Sequence, residues 1–125
     1  MTIDEVRKAI NQKPKPFLKG PDSTIPTDAF DELGIHIYYK APGICEAVEM
    51  ALAADPTFEG RRFIERPFNQ VLSWLQTMDD SIKTDDTGLT SFKFGIGIYA
   101  PNAIEQPDAS VEGVIVFEKD YYTTS

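Results

Sequence analysis

The 125-residue chain has a single cysteine, Cys45, so it cannot form a disulfide within itself. It also has a single histidine, His36, and lacks Cys-x-x-Cys and His-x-x-x-His motifs, which leaves too few soft ligands for zinc. No stretch approaches 18 consecutive apolar residues, which excludes a transmembrane helix. The first residues are acidic, and no apolar run of a secretory signal follows them. These absences predict a cytoplasmic protein without a metal or other cofactor.

Motifs for catalysis and nucleotide binding are also missing. Gly95-x-Gly97 lacks the third glycine of a dinucleotide loop and lies inside a strand pattern. No phosphate-binding loop ends in Gly-Lys-Ser or Gly-Lys-Thr. Cys45 and His36 are predicted on opposite faces of one hairpin, so they cannot form a nucleophile–base pair. We therefore do not expect an enzyme.

Negative charge dominates the chain but is unevenly distributed. The net charge is −8, from 12 basic and 20 acidic side chains. Residues 1–20 have five basic and two acidic side chains, a balance of +3, which leaves −11 for residues 21–125. A body of this charge repels nucleic acid phosphates and attracts basic partners. We expect a protein partner with a basic surface, and neither nucleic acid nor membrane binding. The sequence leaves the oligomeric state open.

The N-terminal third predicts little regular structure beyond one helix. Thr2 and Glu5 have the spacing of a capping box, and the apolar residues that follow predict a helix over residues 3–11. Prolines then predict a surface loop over residues 13–27. A second helical turn is predicted over residues 27–32.

The middle of the chain predicts a β-hairpin. Residues 34–40 alternate, residues 41–43 supply a turn, and residues 44–50 return. The simplest register places Tyr39 opposite Cys45, Ile37 opposite Ala47 and His36 opposite Val48. On that register, one core face has five residues: Ile35, Ile37, Tyr39, Cys45 and Ala47.

The rest of the chain predicts further strands and the main helix. Apolar residues at helical spacing predict this helix over residues 67–78. The remaining predictions are a strand over 58–64, a polar connector over 79–87, an alternating strand over 92–98, a loop over 101–107 and a long central strand over 111–122.

The predicted fold is a single α+β domain over residues 1–125. It consists of a mainly antiparallel sheet of about five strands, with one main helix packed on a face and a short N-terminal helix. The N-terminal helix and proline-rich loop occupy residues 1–32, and the sheet and helix core occupy residues 33–122.

One short sequence pattern occurs twice. Residues 34–38 and 95–99 both read Gly-Ile-x-Ile-Tyr, and each is followed by a proline turn and another strand. The repeat suggests two related hairpins in one sheet. The alternative is chance, because glycine, isoleucine and tyrosine are ordinary strand residues.

The segment from Leu33 to Tyr122 resembles a loosely defined set of small bacterial proteins. The residues of the resemblance are Gly34 to Tyr39, Ala47 to Glu49, Phe58 to Gly60, Gly95 to Tyr99, Val111 to Val114, and Tyr121 with Tyr122. Some proteins of this kind look like immunity proteins of polymorphic toxin systems, which are short, acidic, cytoplasmic and without catalytic motifs. The resemblance implies such a role but transfers no functional residue, because its motifs are strand residues and turns.

Three hypotheses for function follow. The first is a non-catalytic protein-binding domain, such as an immunity protein that neutralises a basic toxin by covering its surface. Its expected binding residues are Asp79, Asp80, Asp85, Asp86, Glu118, Asp120, Tyr121 and Tyr122. The second is a small-molecule-binding domain or weak enzyme, with a pocket beside the Gly95/Gly97 strand lined by His36, Tyr38 and Tyr99. The third is a structural domain that self-associates through a sheet edge.

Overall fold

The computed structural model describes residues 1–18 and 25–119. Within these residues the chain forms two α-helices and an eight-stranded antiparallel sheet, with a separate two-stranded ladder. The α+β class and the antiparallel sheet are confirmed. The predicted strand number, about five, is wrong, because four short strands at residues 15–17, 27–30, 83–85 and 88–91 were not predicted, and the strand predicted over 58–64 lies outside the main sheet. No helix in the described residues is long and apolar enough to cross a membrane.

The elements follow one another in a regular order. The helices are α1, Ile3–Ile10, and α2, Phe68–Gln76. The strands of the main sheet are β1 Lys15–Phe17, β2 Thr27–Phe30, β3 Ile35–Lys40, β4 Ile44–Met50, β7 Lys83–Asp85, β8 Gly88–Ser91, β9 Ile96–Tyr99 and β10 Gly113–Phe117. The separate ladder consists of β5 Thr57–Phe58 and β6 Arg61–Arg62. The strand order in the main sheet is β1-β2-β3-β4-β10-β9-β8-β7, so two four-stranded meanders meet where β4 pairs with β10.

These two meanders have the same internal arrangement. Each half of the chain has a helix followed by four sheet strands, α1 with β1–β4 and α2 with β7–β10. Asp28 lies opposite Ile37 in the first half, and Leu89 lies opposite Ile98 in the second. Each residue of the second pair is 61 positions after its counterpart (28 + 61 = 89 and 37 + 61 = 98). The second and third strands of the two halves therefore pair in the same register.

A pseudo-two-fold axis relates the two halves. It passes between β4 and β10 at the pair formed by Glu49 and Ile115. The two-fold rotation exchanges the pairs on either side of this point, so the Val114–Met50 pair corresponds to the Val116–Val48 pair. Gly34 and Gly95 occupy the same place before the third strand of each half, with φ angles of +67° and +68°. The repeated sequence pattern thus coincides with a repeat of the backbone.

Both helices pack on the same face of the sheet. Helix α1 begins with the expected capping box, in which the Glu5 N–H donates to Thr2 Oγ1 and the Thr2 N–H donates to the Glu5 carboxylate. Its buried residue Val6 packs with Phe30, Ile37 and Tyr39. The second and larger cluster joins helix α2 to the other half of the sheet, through Phe63, Ile64, Phe68, Val71, Leu75, Leu89, Ile96, Ile98, Ala100, Val111 and Val114.

The predicted β3–β4 hairpin is present, but part of its register is wrong. Tyr39 does lie opposite Cys45, as predicted. A β-bulge between Tyr38 and Tyr39 then shifts the pairing, so that Ile37 lies opposite Val48 and His36 opposite Glu49. Because one inserted residue moves the following side chains to the other face, Ala47 leaves the predicted core face. Val48 takes its place beside Ile37.

Three other predicted segments differ from the structure. The turn predicted over 27–32 is instead strand β2 followed by a short 3-10 turn, Asp31–Leu33. The connector predicted over 79–87 contains strand β7, and the loop predicted over 13–27 contains strand β1. These strands form through pairing with a neighbour, which their own local sequences do not specify.

Three predicted strands are too long: those over 58–64, 92–98 and 111–122. The strand predicted over 58–64 is the tight β5–β6 hairpin, in which Glu59 and Gly60 adopt positive φ angles. The strand predicted over 92–98 begins only at Ile96, because the preceding residues form a turn. Strand β10 lies between β4 and β9, so its central position is confirmed, and it ends at Phe117.

Candidate functional site

The sheet face opposite the helices carries a groove in its second half. Alternation along the strands directs Thr90, Gly97, Tyr99 and Ile115 to this open face, away from the cluster that contains α2. The groove has a volume of about 710 Å³ and crosses strands β4, β10, β9, β8 and β7. Side chains and backbone of 15 residues line it: Glu49, Met50, Ala51, Asp85, Thr87, Leu89, Thr90, Phe92, Gly97, Ile98, Tyr99, Glu112, Gly113, Val114 and Ile115.

Glycines create this groove. Gly88, Gly97 and Gly113 fall on the open face, in cross-strand rows with Tyr99, Thr90 and Ile115. The matched positions of the first half have side chains: Thr27, His36 and Ala47. Gly97 and Gly113 line the groove and Gly88 does not, so the groove lies where two side chains of the first half, His36 and Ala47, have no counterpart in the second.

The three glycines differ in how strictly the structure requires them. Gly88 has a φ angle of +151°, and a Cβ there would lie 1.8 Å from the carbonyl oxygen of Ile98, so only glycine fits. At Gly97 a Cβ would lie 2.7 Å from Cγ2 of Ile115, a side chain that can move. At Gly113 the nearest atom would be Cβ of Tyr99 at 3.6 Å, which is an ordinary contact. Gly113 is therefore the position at which a side chain can be added with least disturbance.

Three carboxylates and no basic side chain occur among the residues that line the groove. They belong to Glu49, Asp85 and Glu112. The residue opposite Thr90 on the edge strand β7 is basic, Lys83, but it does not line the groove. The groove is thus locally acidic in a chain of net charge −8.

Hydrogen bonds hold the Asp85 carboxylate in its charged form. The Thr87 N–H donates to Asp85 Oδ1 at 2.8 Å, and the Thr87 hydroxyl donates to the same oxygen at 2.9 Å. These bonds lower the pKa of Asp85, with the backbone donor contributing most. Since Oδ1 receives both bonds, the carboxylate keeps acceptor capacity for a bound group.

Exposed aromatic rings complete the lining. Tyr99 on β9 is 50% exposed, and Phe92, in the turn between β8 and β9, is 53% exposed with its ring edge-on to that of Phe117. Ile115 lies beside them and is half-buried. The groove therefore offers apolar surface and negative charge together.

The acidic residues predicted as a binding surface are only partly brought together. Asp85 lines the groove, and Asp80 and Asp86 are exposed near its β7 end. Asp79 is 2% exposed, so its carboxylate is not available to a partner. Its partners are internal: the Ser81 N–H, the Ser81 hydroxyl and the Ser91 hydroxyl donate to it at 2.9, 2.7 and 2.7 Å.

The C-terminal part of that predicted surface lies elsewhere. Glu118 follows strand β10, forms an ion pair with Lys40 on β3 and does not line the groove. Asp120, Tyr121 and Tyr122 lie outside the described residues.

The alternative pocket is also divided. Tyr99 lines the groove, whereas His36 and Tyr38 lie on strand β3, in the first half of the open face. The His36 ring nitrogens lie 3.7 Å from Asp31 and 3.9 Å from Glu49, and its ring contacts Phe17 edge-on at 5.6 Å. In the first half the His36 ring thus occupies the space that is open at the matched position of the second half, Gly97.

The single thiol and single imidazole do not meet. Cys45 packs with the α1 cluster, and His36 is on the open face. Burial raises the pKa of the Cys45 thiol, which keeps it protonated. In the described residues no group of three or more His, Cys, Asp or Glu side chains could hold a metal ion.

A second polar cluster lies beneath helix α1, away from the groove. Asp28 is fully buried and accepts from Arg7 Nε at 2.8 Å, from Arg7 Nη2 at 2.6 Å and from the Tyr39 hydroxyl at 2.8 Å. Burial, followed by the bond to Asp28, raises the pKa of Tyr39. Since every member has a partner, the cluster fastens α1 to the sheet and has no group free for chemistry.

No family model, no curated protein and no solved structure matches the chain. The geometry of the groove is therefore the basis for assigning a function. Sequence reasoning missed Glu49, Glu112 and Gly113, because the pseudo-two-fold pairing of β4 with β10 brings them together across more than 60 residues. The one local signal was Gly97, the residue that replaces His36 in the repeated pattern.

Proposed function

We propose that this protein is a non-catalytic binding domain that holds a basic segment of a partner protein in the groove of its open sheet face. The observation that carries the proposal is the groove itself, about 710 Å³ in volume, with three carboxylates and no basic residue in its lining. Opposite charge steers a basic segment toward such a surface, and apolar contacts with exposed rings hold it there.

The charge of the whole chain supports the same partner. The balance of −11 over residues 21–125 gives the part of the chain that contains the groove a strong net negative charge. Association should be fast at low ionic strength and slower as salt screens the field. An immunity protein that covers the surface of a basic toxin would act in this way. Its partner would be a toxin that contains the basic segment.

A selection of peptides tests the proposal without knowledge of the partner. A random library displayed on phage is panned against the immobilised protein at low salt, and recovered peptides are synthesised for affinity measurements. We expect the recovered peptides to be basic. Their affinity should fall at least tenfold in the triple variant Glu49→Gln, Asp85→Asn, Glu112→Gln, and should also fall as salt is raised.

A matched variant controls for net charge. Glu59→Gln, Glu105→Gln and Asp108→Asn remove the same three charges from exposed positions outside the groove lining. Affinity in this variant should remain within about twofold of wild type, because distant exposed charges are screened. Peptides without a basic bias, or equal losses in the two triple variants, would contradict the proposal.

A small cationic molecule is a second candidate ligand. The groove volume lies within the range of small-molecule sites, roughly 300–1,000 Å³, and polar and aromatic groups converge in it. Titration with arginine amide and with the selected peptides separates the two candidates. A peptide ligand should bind much more tightly than the free amide, whereas a small-molecule site would bind the amide as tightly as the peptide.

A further inference from the structure

We propose that the groove selects arginine over lysine, because the Tyr99 ring provides a stacking surface for a planar guanidinium group between two carboxylates. This inference rests on the proposed function and names the side chain that the groove recognises. It concerns the choice between two basic side chains at Tyr99, whereas the proposed function requires only that the groove bind a basic segment.

The neighbours of Tyr99 leave its ring accessible. Along its cross-strand row, Tyr99 lies between Gly88 on β8 and Gly113 on β10. Neither neighbour has a side chain that could cover the ring. A Cβ on Gly113 would lie 3.9 Å from Tyr99 Cδ2, so the ring leans over the space that the glycine leaves.

Acidic residues flank Tyr99 in two directions. Asp85 is next to Gly88 in the same row, on strand β7. Since adjacent strands are about 4.8 Å apart, the Asp85 and Tyr99 backbones are separated by about 10 Å. Glu112 directly precedes Gly113, its N–H donates to the Tyr99 carbonyl oxygen at 2.8 Å, and its carboxylate accepts from Asn102 Nδ2 at 3.5 Å. A cation held on the ring therefore lies in a groove that both acids line.

The chemistry of the two basic side chains then favours arginine. A guanidinium group is planar and weakly hydrated, stacks on aromatic rings and directs several N–H groups to carboxylates in its plane. A lysine ammonium keeps its hydration more strongly and makes a point contact.

Three peptides of one sequence test the preference. A basic peptide from the selection is synthesised with arginine, lysine or citrulline at every basic position, and affinities are measured by fluorescence anisotropy. Citrulline keeps the planar shape of arginine without its charge. On the wild-type protein we expect the arginine form to bind about fivefold more tightly than the lysine form, and citrulline to bind weakest.

Variants of the ring locate the cause of the preference. In Tyr99→Leu the advantage of arginine over lysine should fall below twofold, while the lysine form keeps most of its affinity. Tyr99→Phe retains a ring and should retain the preference. Phe17→Leu removes an aromatic ring from the first half of the open face and should also leave the preference intact. Because Tyr99 is half exposed, these variants should fold, which circular dichroism checks.

The outcomes separate this inference from the proposed function. Equal affinity for the arginine and lysine forms on wild type overturns the inference and leaves the proposed function standing. A preference for arginine that persists in Tyr99→Leu also overturns the inference and leaves the proposed function standing. If neither basic form binds, or citrulline binds as tightly as arginine, then the proposed function fails as well.

Discussion

The first and second halves of the sheet share one backbone frame and use its open face in opposite ways. In the first half Thr27, His36 and Ala47 fill that face. In the second half the matched positions are glycines, and the face becomes a groove. The groove of the second half thus lies where Gly97 and Gly113 stand in place of His36 and Ala47, while strand order and register are the same in both halves.

The helix side of the two halves differs as well. The first half buries Asp28 against the Arg7 guanidinium, which supplies a full positive charge. The second half has Leu89 at that place and buries a different acid, Asp79, against hydroxyl groups of Ser81 and Ser91. One half is fastened by an ion pair and the other by neutral donors, so their responses to mutation and to pH should differ.

The largest expected effect is the loss of the ion pair in the first half. Arg7→Ala leaves the buried Asp28 carboxylate with the Tyr39 hydroxyl as its remaining partner. Unpairing a buried charge costs several kcal/mol, reduced here because Arg7 is itself about one-third exposed, so we expect a loss of about 2 kcal/mol in the free energy of unfolding. Urea denaturation measures it. Lys8→Ala, on the exposed side of the same helix, is the control, and an equal loss in both variants would refute the role of the pair.

The next effect concerns the groove of the second half. Gly113→Val adds a side chain at the position where the first half has Ala47. It should weaken binding of the selected basic peptides about tenfold, equivalent to about 1.4 kcal/mol, with Gly113→Ala intermediate. Fluorescence anisotropy gives the affinities, and thermal unfolding checks that both variants fold. Unchanged affinity in Gly113→Val would show that the ligand does not enter the groove.

A smaller, pH-dependent effect is expected for the acid of the second half. Bonds from Ser81, and then Ser91, lower the pKa of Asp79 in the folded protein. Its unfolded pKa is about 3.9, so the charged carboxylate stabilises the fold above about pH 4, and this stabilisation is lost as the pH falls through the lower folded value. Asp79→Asn should therefore be less stable than wild type at pH 7, with the difference shrinking toward pH 2.

Urea denaturation across this pH range measures the difference. Ser91→Ala removes one donor to Asp79 and should give a pH profile between wild type and Asp79→Asn. A difference between wild type and Asp79→Asn that is constant from pH 7 to pH 2 would contradict the assignment.

The smallest effect compares the two edges of the sheet. Pro16 on β1 lies opposite Asp28, and Thr84 on β7 lies opposite Leu89, the matched position. Because proline is accepted on a strand edge where its missing N–H would face solvent, Thr84→Pro should cost less than about 1 kcal/mol of stability. Thr90→Pro, in the interior strand β8, should cost more than Thr84→Pro, because it removes a hydrogen bond of the strand ladder. Similar losses of stability in Thr84→Pro and Thr90→Pro would show that β7 does not tolerate proline as the edge strand β1 does.

The same comparison explains which parts of the fold the sequence predicts. The capping box of α1 and the apolar spacing of α2 are local signals, and both helices were predicted within two residues. The β3–β4 hairpin was predicted from alternation and a proline turn, but its bulge has no local signature. Its register was therefore correct only near the turn.

Strands that depend on distant partners were missed. Strand β2 contains Asp28, a poor strand residue, and it is stabilised in place by Arg7, which is 21 positions earlier. Strand β7 is three exposed residues that pair with β8 through a short turn. Neither the burial of an acid nor an exposed three-residue strand can be predicted without the tertiary contact that causes it.

The candidate site shows the same limit. Gly97 and Tyr99 were singled out as part of a repeated pattern, and Asp85 as part of an acidic run. That they share a groove with Glu49 and Glu112 depends on the order of five strands, β4, β10, β9, β8 and β7. The residues were visible in the sequence, but their proximity follows from how the two halves join.

Chemical-shift mapping tests the central claim most directly, because it observes both halves in one experiment. The ¹⁵N-labelled protein is titrated with the arginine form of a selected peptide, and amide shifts are compared between matched positions. We expect the largest changes in amide chemical shift at Gly97, Tyr99 and Gly113, and little change at their counterparts His36, Tyr38 and Ala47. Shifts concentrated in the first half or on the helix face would contradict it.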